Sequence, residues 1–344
     1  MFTTPAIRGI RQHFPDAHIS YLVEPAAAPV VAGNPNIDDV IVAPRGRGLA
    51  GLRADVALGR QLRAKRYDLA IDFHGGPRAS LLTWLSGAPD RVGYEVAGRS
   101  WMYTRRVVRP RTAKGRHSVR NQWTLLGALG IAPPEPETFP VEMAVGAPIA
   151  SAVHDRLARA GVGDDHRVVV IHVSAGNPFR RWPAAAFAAV ASTLAARDAR
   201  RRIVITSGPS EGDAAAQVIA DARALLPEAD RHRVLACGEF SLAELRALAD
   251  RAALYIGGDS GPLHIASTSH VPIVGLYGPT LPERSAPWRS AIWPVESVEI
   301  DGLACRPCDQ RRCLPGDFRC LTWITPAQVI DASERALKKS GDLP

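Results

Sequence analysis

Lysine is almost absent from this chain: Lys65, Lys114, Lys338 and Lys339 are the only lysines among its 42 basic residues. Methionine is equally scarce, at 3 in 344 residues, and aromatic side chains make up 6%. No apolar run approaches the roughly 20 residues that a membrane-crossing helix needs, so none is expected. The opening stretch, MFTTPAIRGIRQHF, carries no apolar core of a secretory signal, and a cytoplasmic location is expected. No basic run is interleaved with aromatic residues, which argues against nucleic acid as a partner. With 46% apolar and 22% charged residues the composition is that of a soluble globular protein. Its length allows two domains, each with its own core.

Arginine supplies the remaining positive charge, and the net charge is +8. Such a balance suits acidic partners: nucleotide phosphates, phosphorylated glycans or an anionic membrane surface reached by weak peripheral attraction. An alanine- and arginine-rich coding bias accounts for the same excess without any partner.

Helix and strand patterns alternate along the chain. TPAIRGIRQHF has helical apolar spacing, AHISYLV, DDVIVA and YDLAIDF read as strands, and residues 49–66, PRASLLTWLSG and NQWTLLGALG read as helices. A proline-rich stretch at about 131–145 has the composition of a linker. The alternation then restarts with RVVVIHV, RRIVITSG, ALYIGGD and VPIVGLYG as strands separated by helical segments. Strands alternating with helices imply parallel sheets. The expected architecture is α/β, two Rossmann-like domains at 1–145 and 146–344 facing a central cleft. Ligands in such sheets sit at the carboxyl ends of strands.

Three strand ends carry candidate chemistry. In HVSAGNPFRRWP, residues 172–183, Ser174, Gly176 and Arg180 with Arg181 make a candidate phosphate pocket, or an ordinary loop with solvated arginines. In TSGPSEGD, residues 206–213, Glu211 could accept from a ribose hydroxyl, although a carboxylate there also complements the helix dipole. In GGDSGPLHIAS, Asp259, Ser260, Gly261 and His264 crowd a strand-to-helix junction. On the residues alone, helix capping with a core histidine explains them as well as a site does.

Two further motifs stand apart. GRGLAG, residues 46–51, matches G-x-G-x-x-G, with Asp68 and Asp72 near the distance where a dinucleotide fold puts its acid. Its flanking Arg45 and Arg47 mark it instead as a basic loop, and no cofactor is expected. Cys305, Cys308, Cys313 and Cys320 fall at C-x2-C-x4-C-x6-C. A structural metal cluster, free thiols and a redox-labile pair all remain open for them.

Together GGDSGPLHIASTSHVPIVGLYGPT, HVSAGNPFRRWPAAAFAAVA and SLAELRALADRAALYIGG resemble the C-terminal half of glycosyltransferase family 9, the ADP-heptose:lipopolysaccharide heptosyltransferases. TTPAIRGIRQHFPDAHISYLVEPAAAPVV, YDLAIDFHGGPRASLL and HSVRNQWTLLGALGI resemble its N-terminal half, so the likeness covers essentially the whole chain. It implies a GT-B fold and inverting, metal-independent heptose transfer from ADP-heptose to a lipid A core acceptor that carries Kdo or heptose. It also implies donor contacts at Ser174, Gly176, Arg180, Glu211, Phe240, Ser241, Asp259, Ser260, Gly261 and His264. Arg180 stands where the family commonly has lysine, and Phe240 with Ser241 matches the adenine side. His74, Arg78, His117 and Asn121 fall on the acceptor-facing half.

One departure accompanies the resemblance. The family runs an apolar first strand into a Gly-Asp loop just before TTPA, and the aspartate there is the implied general base. Met1 falls inside that loop, so strand and base are expected upstream of Met1, and the chain as written is expected to bind donor but transfer poorly. The alternatives are a transferase for another nucleotide sugar, or a nucleotide-sugar-binding protein without turnover.

Overall fold

The computed structural model describes residues 1–43, 46, 48–109, 115–174 and 176–341. It divides the chain into two compact units, Phe2–Glu142 and Met143–Pro344, with Met1 grouped with the second. The division falls within the proline-rich stretch at 131–145.

In the unit Phe2–Glu142 the strands are β1 (Ser20–Val23), β2 (Asp39–Val42), β3 (Leu69–Asp72), β4 (Asp90–Tyr94) and β5 (Arg105–Val107). They form two parallel ladders, β1-β2 and β3-β4-β5. The helix Thr4–His13 starts with proline in its first turn, where a missing N–H costs nothing, and buries Ala6 and Ile7. Gly9 lets it approach the helix Ser118–Gly127: a Cβ there would lie 2.5 Å from the Trp123 ring. Residues of β1 and the first three of β3 are only half-buried.

In the unit Met143–Pro344 the strands are β6 (Arg167–His172), β7 (Arg201–Thr206), β8 (Val234–Leu235), β9 (Ala252–Gly258), β10 (Ile273–Tyr277) and β11 (Val295–Glu299). They make one parallel sheet in the order β11-β10-β9-β6-β7-β8. Successive β6 residues point to opposite faces, as the pleat requires. Val169 and Ile171 join a core with the helices Ala184–Arg197, Gly212–Ala224 and Pro326–Gly341. Val168 and Val170 join a second core with Ala147–Arg159, Leu242–Arg251 and Gly261–Ala266. Covered on both faces, β6 reads as an uninterrupted apolar run.

The expected strands and helices all form. The sequence pattern did not disclose β4, β5, β11 or the helices Ala147–Arg159 and Pro326–Gly341. β5 is Arg-Arg-Val and β11 is Val-Glu-Ser-Val-Glu, each ending its ladder. Edge strands carry charge that blunts further pairing, and this hides their apolar signal. None of the described helices is long and apolar enough to cross a membrane.

Candidate functional site

The order of strands in the unit Met143–Pro344 reverses between β6 and β9, since β7 and β8 lie on one side of β6 and β9 to β11 on the other. That reversal opens a crevice at the strands' carboxyl ends, where open α/β sheets hold ligands. The segments after β6 and β9 carry Ser174 to Arg181 and Asp259 to His264, so the fold delivers two of the candidate motifs to one place.

Asp259 is the centre of this end of the sheet. Its N–H bonds the carbonyl of Leu276, and its side chain is buried. Ser285 donates to Oδ2 at 3.0 Å, His264 Nε2 lies 3.4 Å from Oδ1, and an Arg180 nitrogen lies 3.5 Å from Oδ2. Burial pushes the carboxyl pKa up, but the His264 ring, the Thr280 side chain and the Arg180 charge together outweigh it and hold the group below its ordinary value. Asp259 therefore stays ionised beside the Arg180 guanidinium.

Arg180 also donates to the Asp259 carbonyl at 2.9 Å and, through Nε, to Gln310 Oε1 at 2.8 Å. The same Gln310 oxygen accepts from Asn177 Nδ2 at 2.8 Å. Asn177 in turn caps the short 3-10 turn Pro178–Arg180 by accepting from the Phe179 N–H. The Arg180 side chain is thus clamped along one edge yet remains 30% exposed. Gly258 makes the approach possible, because a Cβ there would meet the Arg180 carbonyl at 3.2 Å.

A second cluster joins β6 to β7. Glu211 accepts from the Ser174 hydroxyl and pairs with Arg181 at 2.5 Å. A Cβ on Gly208 would lie 3.1 Å from Ser174 Oγ and 3.3 Å from Glu211 Oε2, so a side chain there would crowd this pair. Gly176 is exposed in the same loop as Ser174. Ser260 precedes the helix Gly261–Ala266, and its hydroxyl is buried with no partner among the described atoms.

Phe240 and Ser241 make their contacts elsewhere. Phe240 belongs to the core, with the Arg156 guanidinium 4.7 Å from its ring centre. Ser241 forms a reciprocal cap with Glu244: its hydroxyl accepts from the Glu244 N–H at 3.3 Å, and its own N–H donates back at 2.8 Å.

In the unit Phe2–Glu142 the candidates His74 and Arg78 follow β3. Asp72 Oδ1 accepts from the N–H groups of His74 and Gly75 at 2.9 and 2.8 Å, and Oδ2 accepts from the Tyr103 hydroxyl at 2.6 Å. Burial, then the Asp72 bond, pushes the Tyr103 pKa upward. Asp72 thus organises the turn, an arrangement unlike the sugar-binding acid of a dinucleotide fold. GRGLAG leads directly into the helix Gly48–Ala64, and its Arg45 and Arg47 lie outside the described residues. Arg109 and Arg99 donate to the carbonyls of His74 and Gly75, both at 3.3 Å, which adds two guanidinium groups to the turn. Arg78 pairs with Asp55 at 2.8 Å. His117 caps the helix Ser118–Gly127 by accepting from the Val119 N–H at Nδ1, 3.2 Å away. The Asn121 carbonyl accepts from the Tyr94 hydroxyl at 2.7 Å, while its side-chain oxygen is buried without a partner among the described atoms.

The four cysteines Cys305, Cys308, Cys313 and Cys320 line one small cavity with Phe179 and Phe318. All are free thiols, and burial followed by the neighbouring thiols pushes the Cys320 pKa up. Among the described residues no group of three or more His, Cys, Asp or Glu side chains is arranged to hold a metal ion. The loop has another consequence, since it carries Gln310, the residue that fixes Arg180. Gln310 had no sequence signal: a lone glutamine, far along the chain from β6, gives no pattern. Ser285 and Arg99 were missed for the same reason.

The chain matches the model of glycosyltransferase family 9 (heptosyltransferase) over residues 56–314. It is similar to lipopolysaccharide heptosyltransferase 3 of Escherichia coli, at 29% identity over 346 residues, 99% of this chain and 96% of that protein. Its fold is similar to that of the glycosyl transferase family 9 structure from Veillonella parvula, with TM-score 0.82, 24% identity and coverage of 98% and 93%. It is likewise similar to E. coli ADP-heptose lipopolysaccharide heptosyltransferase II, with TM-score 0.77, 19% identity and coverage of 99% and 95%. The fold is therefore that of the GT-B heptosyltransferases, and with three-quarters of its length matched the chain belongs to glycosyltransferase family 9, the heptosyltransferase family.

Proposed function

We propose that this glycosyltransferase moves heptose from ADP-heptose to the lipopolysaccharide inner core, with inversion at the anomeric carbon and without a metal ion. The observation that carries the reading is the Arg180–Asp259–His264 cluster at the strand-order reversal of a chain that belongs to the heptosyltransferase family. The similarity to proteins named for ADP-heptose and for lipopolysaccharide supports the choice of donor and acceptor.

In this reading the unit Met143–Pro344 binds the donor. Arg180 faces the diphosphate with its exposed edge, and Asp259, Ser260 and Gly261 hold the sugar and the phosphates. His264 keeps Asp259 ionised and oriented. Ser174 and Gly176 line the loop beside the phosphates, Glu211 reaches the ribose, and Phe240 with Ser241 forms the adenine side. As the acceptor oxygen attacks the anomeric carbon its proton passes to water, the carbon–oxygen bond to the β-phosphate breaks, and ADP leaves with the electron pair. A fixed guanidinium stabilises the charge developing there. The unit Phe2–Glu142 receives the acceptor at His74, Arg78, His117 and Asn121, and the Arg99 and Arg109 guanidinium groups at the His74 turn suit the carboxylates and phosphates of a Kdo-containing core. The +8 net charge also favours peripheral attraction to an anionic bilayer, such as the inner face of the inner membrane.

The test is turnover of ADP-heptose with a Kdo-containing lipid acceptor, following ADP release, with the new anomeric linkage assigned by NMR. Slow release of ADP with an inverted linkage is expected, unaffected by a chelator. Preference for a UDP-sugar overturns the donor assignment. Tight ADP-heptose binding with no product supports the binding protein without turnover.

A further inference from the structure

Between Glu299, where β11 ends, and Arg319, where the short helix Arg319–Thr322 begins, the chain forms neither helix nor strand. Ordered loops of this length commonly serve a site. This one is tied to the segment that follows β10. Arg306 donates to the Thr280 carbonyl at 2.7 Å, and the Cys308 N–H donates to the Pro279 carbonyl at 3.2 Å. At its other end Phe318 meets Phe179 edge to face, with ring centres 5.3 Å apart. The loop is thereby anchored against the segment after β6, which carries Arg180.

Gln310 reaches from this loop to a residue 130 positions earlier. Its Oε1 accepts from Arg180 Nε and from Asn177 Nδ2, both at 2.8 Å. Two donors converging on one atom require an oxygen there, which fixes the orientation of the amide. A second guanidinium nitrogen, Nη1, donates to the Asp259 carbonyl at 2.9 Å and lies 3.5 Å from the Asp259 carboxylate. Gln310 and Asp259 therefore hold one nitrogen each, and together they fix the plane of the group. Gln310 has a φ of 59°, in the left-handed region that a glutamine enters only at a cost. Such strain persists where the surroundings over-determine it, and it clusters at ligand sites.

The kind of acceptor at this position matters. Without it, the ionised Asp259 carboxylate would draw the guanidinium toward itself. A carboxylate at position 310 would accept the same two bonds but would offset the arginine's charge. An amide oxygen orients the group and leaves its charge available to an anion. We propose that Gln310 is a positioning residue for the donor, which turns the exposed edge of Arg180 toward the diphosphate without neutralising it. Gln310 acts through Arg180, so this role rests on the reading of Arg180 as the diphosphate contact.

Calorimetric titration of the full chain with ADP, paired with thermal unfolding, tests the assignment. Gln310 is half-buried in a loop, so Gln310→Ala should leave the melting temperature within about 2 °C while weakening ADP binding by about 5- to 20-fold. Gln310→Glu should bind ADP at least as poorly yet melt at or above the parent temperature, because a carboxylate pairs more strongly with Arg180. A merely structural contact would not move binding and stability in opposite directions. Arg180→Ala should weaken ADP binding by about 10- to 100-fold, and adding Gln310→Ala to it should cost no more than about a further twofold. Parent-like ADP binding by Gln310→Ala or Gln310→Glu, with Arg180→Ala impaired, overturns the positioning role and leaves the diphosphate reading standing. Losses that multiply in the double variant overturn it as well. Parent-like binding by Arg180→Ala itself overturns the diphosphate reading, and the role of Gln310 with it.

Discussion

The two units place the same sequence of strands around different centres. In Met143–Pro344 the middle of the sheet is a buried apolar strand whose neighbours bond it on both sides. In Phe2–Glu142 the described strands form two separate ladders, with a cavity of about 1090 Å³ bordered by β1 and β3. A central strand does more than add apolar area. It satisfies the donors and acceptors of two neighbours and fixes the directions in which their following loops leave. The candidate chemistry divides along the same line: the Asp259 cluster is built on buried, mutually bonded groups, while the His74 turn depends on exposed or half-buried arginines.

The largest effect expected comes from placing a carboxylate in each centre. Val170→Asp buries a charge with no partner and should cost at least about 4 kcal/mol, leaving little folded protein. Ala70→Asp on β3 opens onto the cavity and should cost less than about 1 kcal/mol. Urea denaturation measures both. Equal losses would show that the cavity closes in solution, and the contrast between the units would disappear.

Acid should weaken the filled centre next. Burial lowers the pKa of His172, at the end of β6, from 6.5 to about 4. Above pH 6.5 the ring is neutral folded and unfolded, so it contributes no pH dependence. As pH falls from about 6.5 to about 4 only the unfolded chain takes up the proton, and stability drops by about 3 kcal/mol before levelling off. Asp259 acts lower: its depressed pKa contributes stability above the ordinary carboxylate value, lost as pH falls through the folded value. Melting curves at pH 7.5, 5.5 and 4 should show the decline, and His172→Asn should flatten it.

Kinetics should then separate the two clusters. Arg180→Ala is expected to lower kcat/KM for ADP-heptose by about 10- to 100-fold with acceptor KM nearly unchanged, and Arg180→Lys to recover part of it. Arg78→Ala should raise acceptor KM and leave donor KM within about twofold. The smallest effect belongs to Ser241→Ala. Loss of its cap should cost about 1 kcal/mol in thermal unfolding. A rise in donor KM well beyond twofold would instead favour its adenine-side role.

Much of the scaffold was legible because its signals are local. RVVVIHV, RRIVITSG and VPIVGLYG are runs suited to a buried parallel strand, and GDSGPLH lies where such a strand ends. β5 and β11 were not legible, since their arginines and glutamates mask short edge strands. Within the site, Asp259, Arg180, Glu211 and Ser174 could be picked out from their strand ends. Gln310 and Ser285 could not, because what selects them is contact with Arg180 and Asp259 rather than any spacing.

The sequence by itself determined the alternation of strands and helices and the places where loops leave the sheets, because periodicity and turn chemistry act over a few residues. Only the tertiary structure decided that Arg180, Asp259, His264 and Gln310 share one cluster, that Ser241 and His117 also cap helices, and that the two sheets differ at their centres. Those outcomes depend on strand order, which long-range pairing and burial select and no short stretch of sequence encodes.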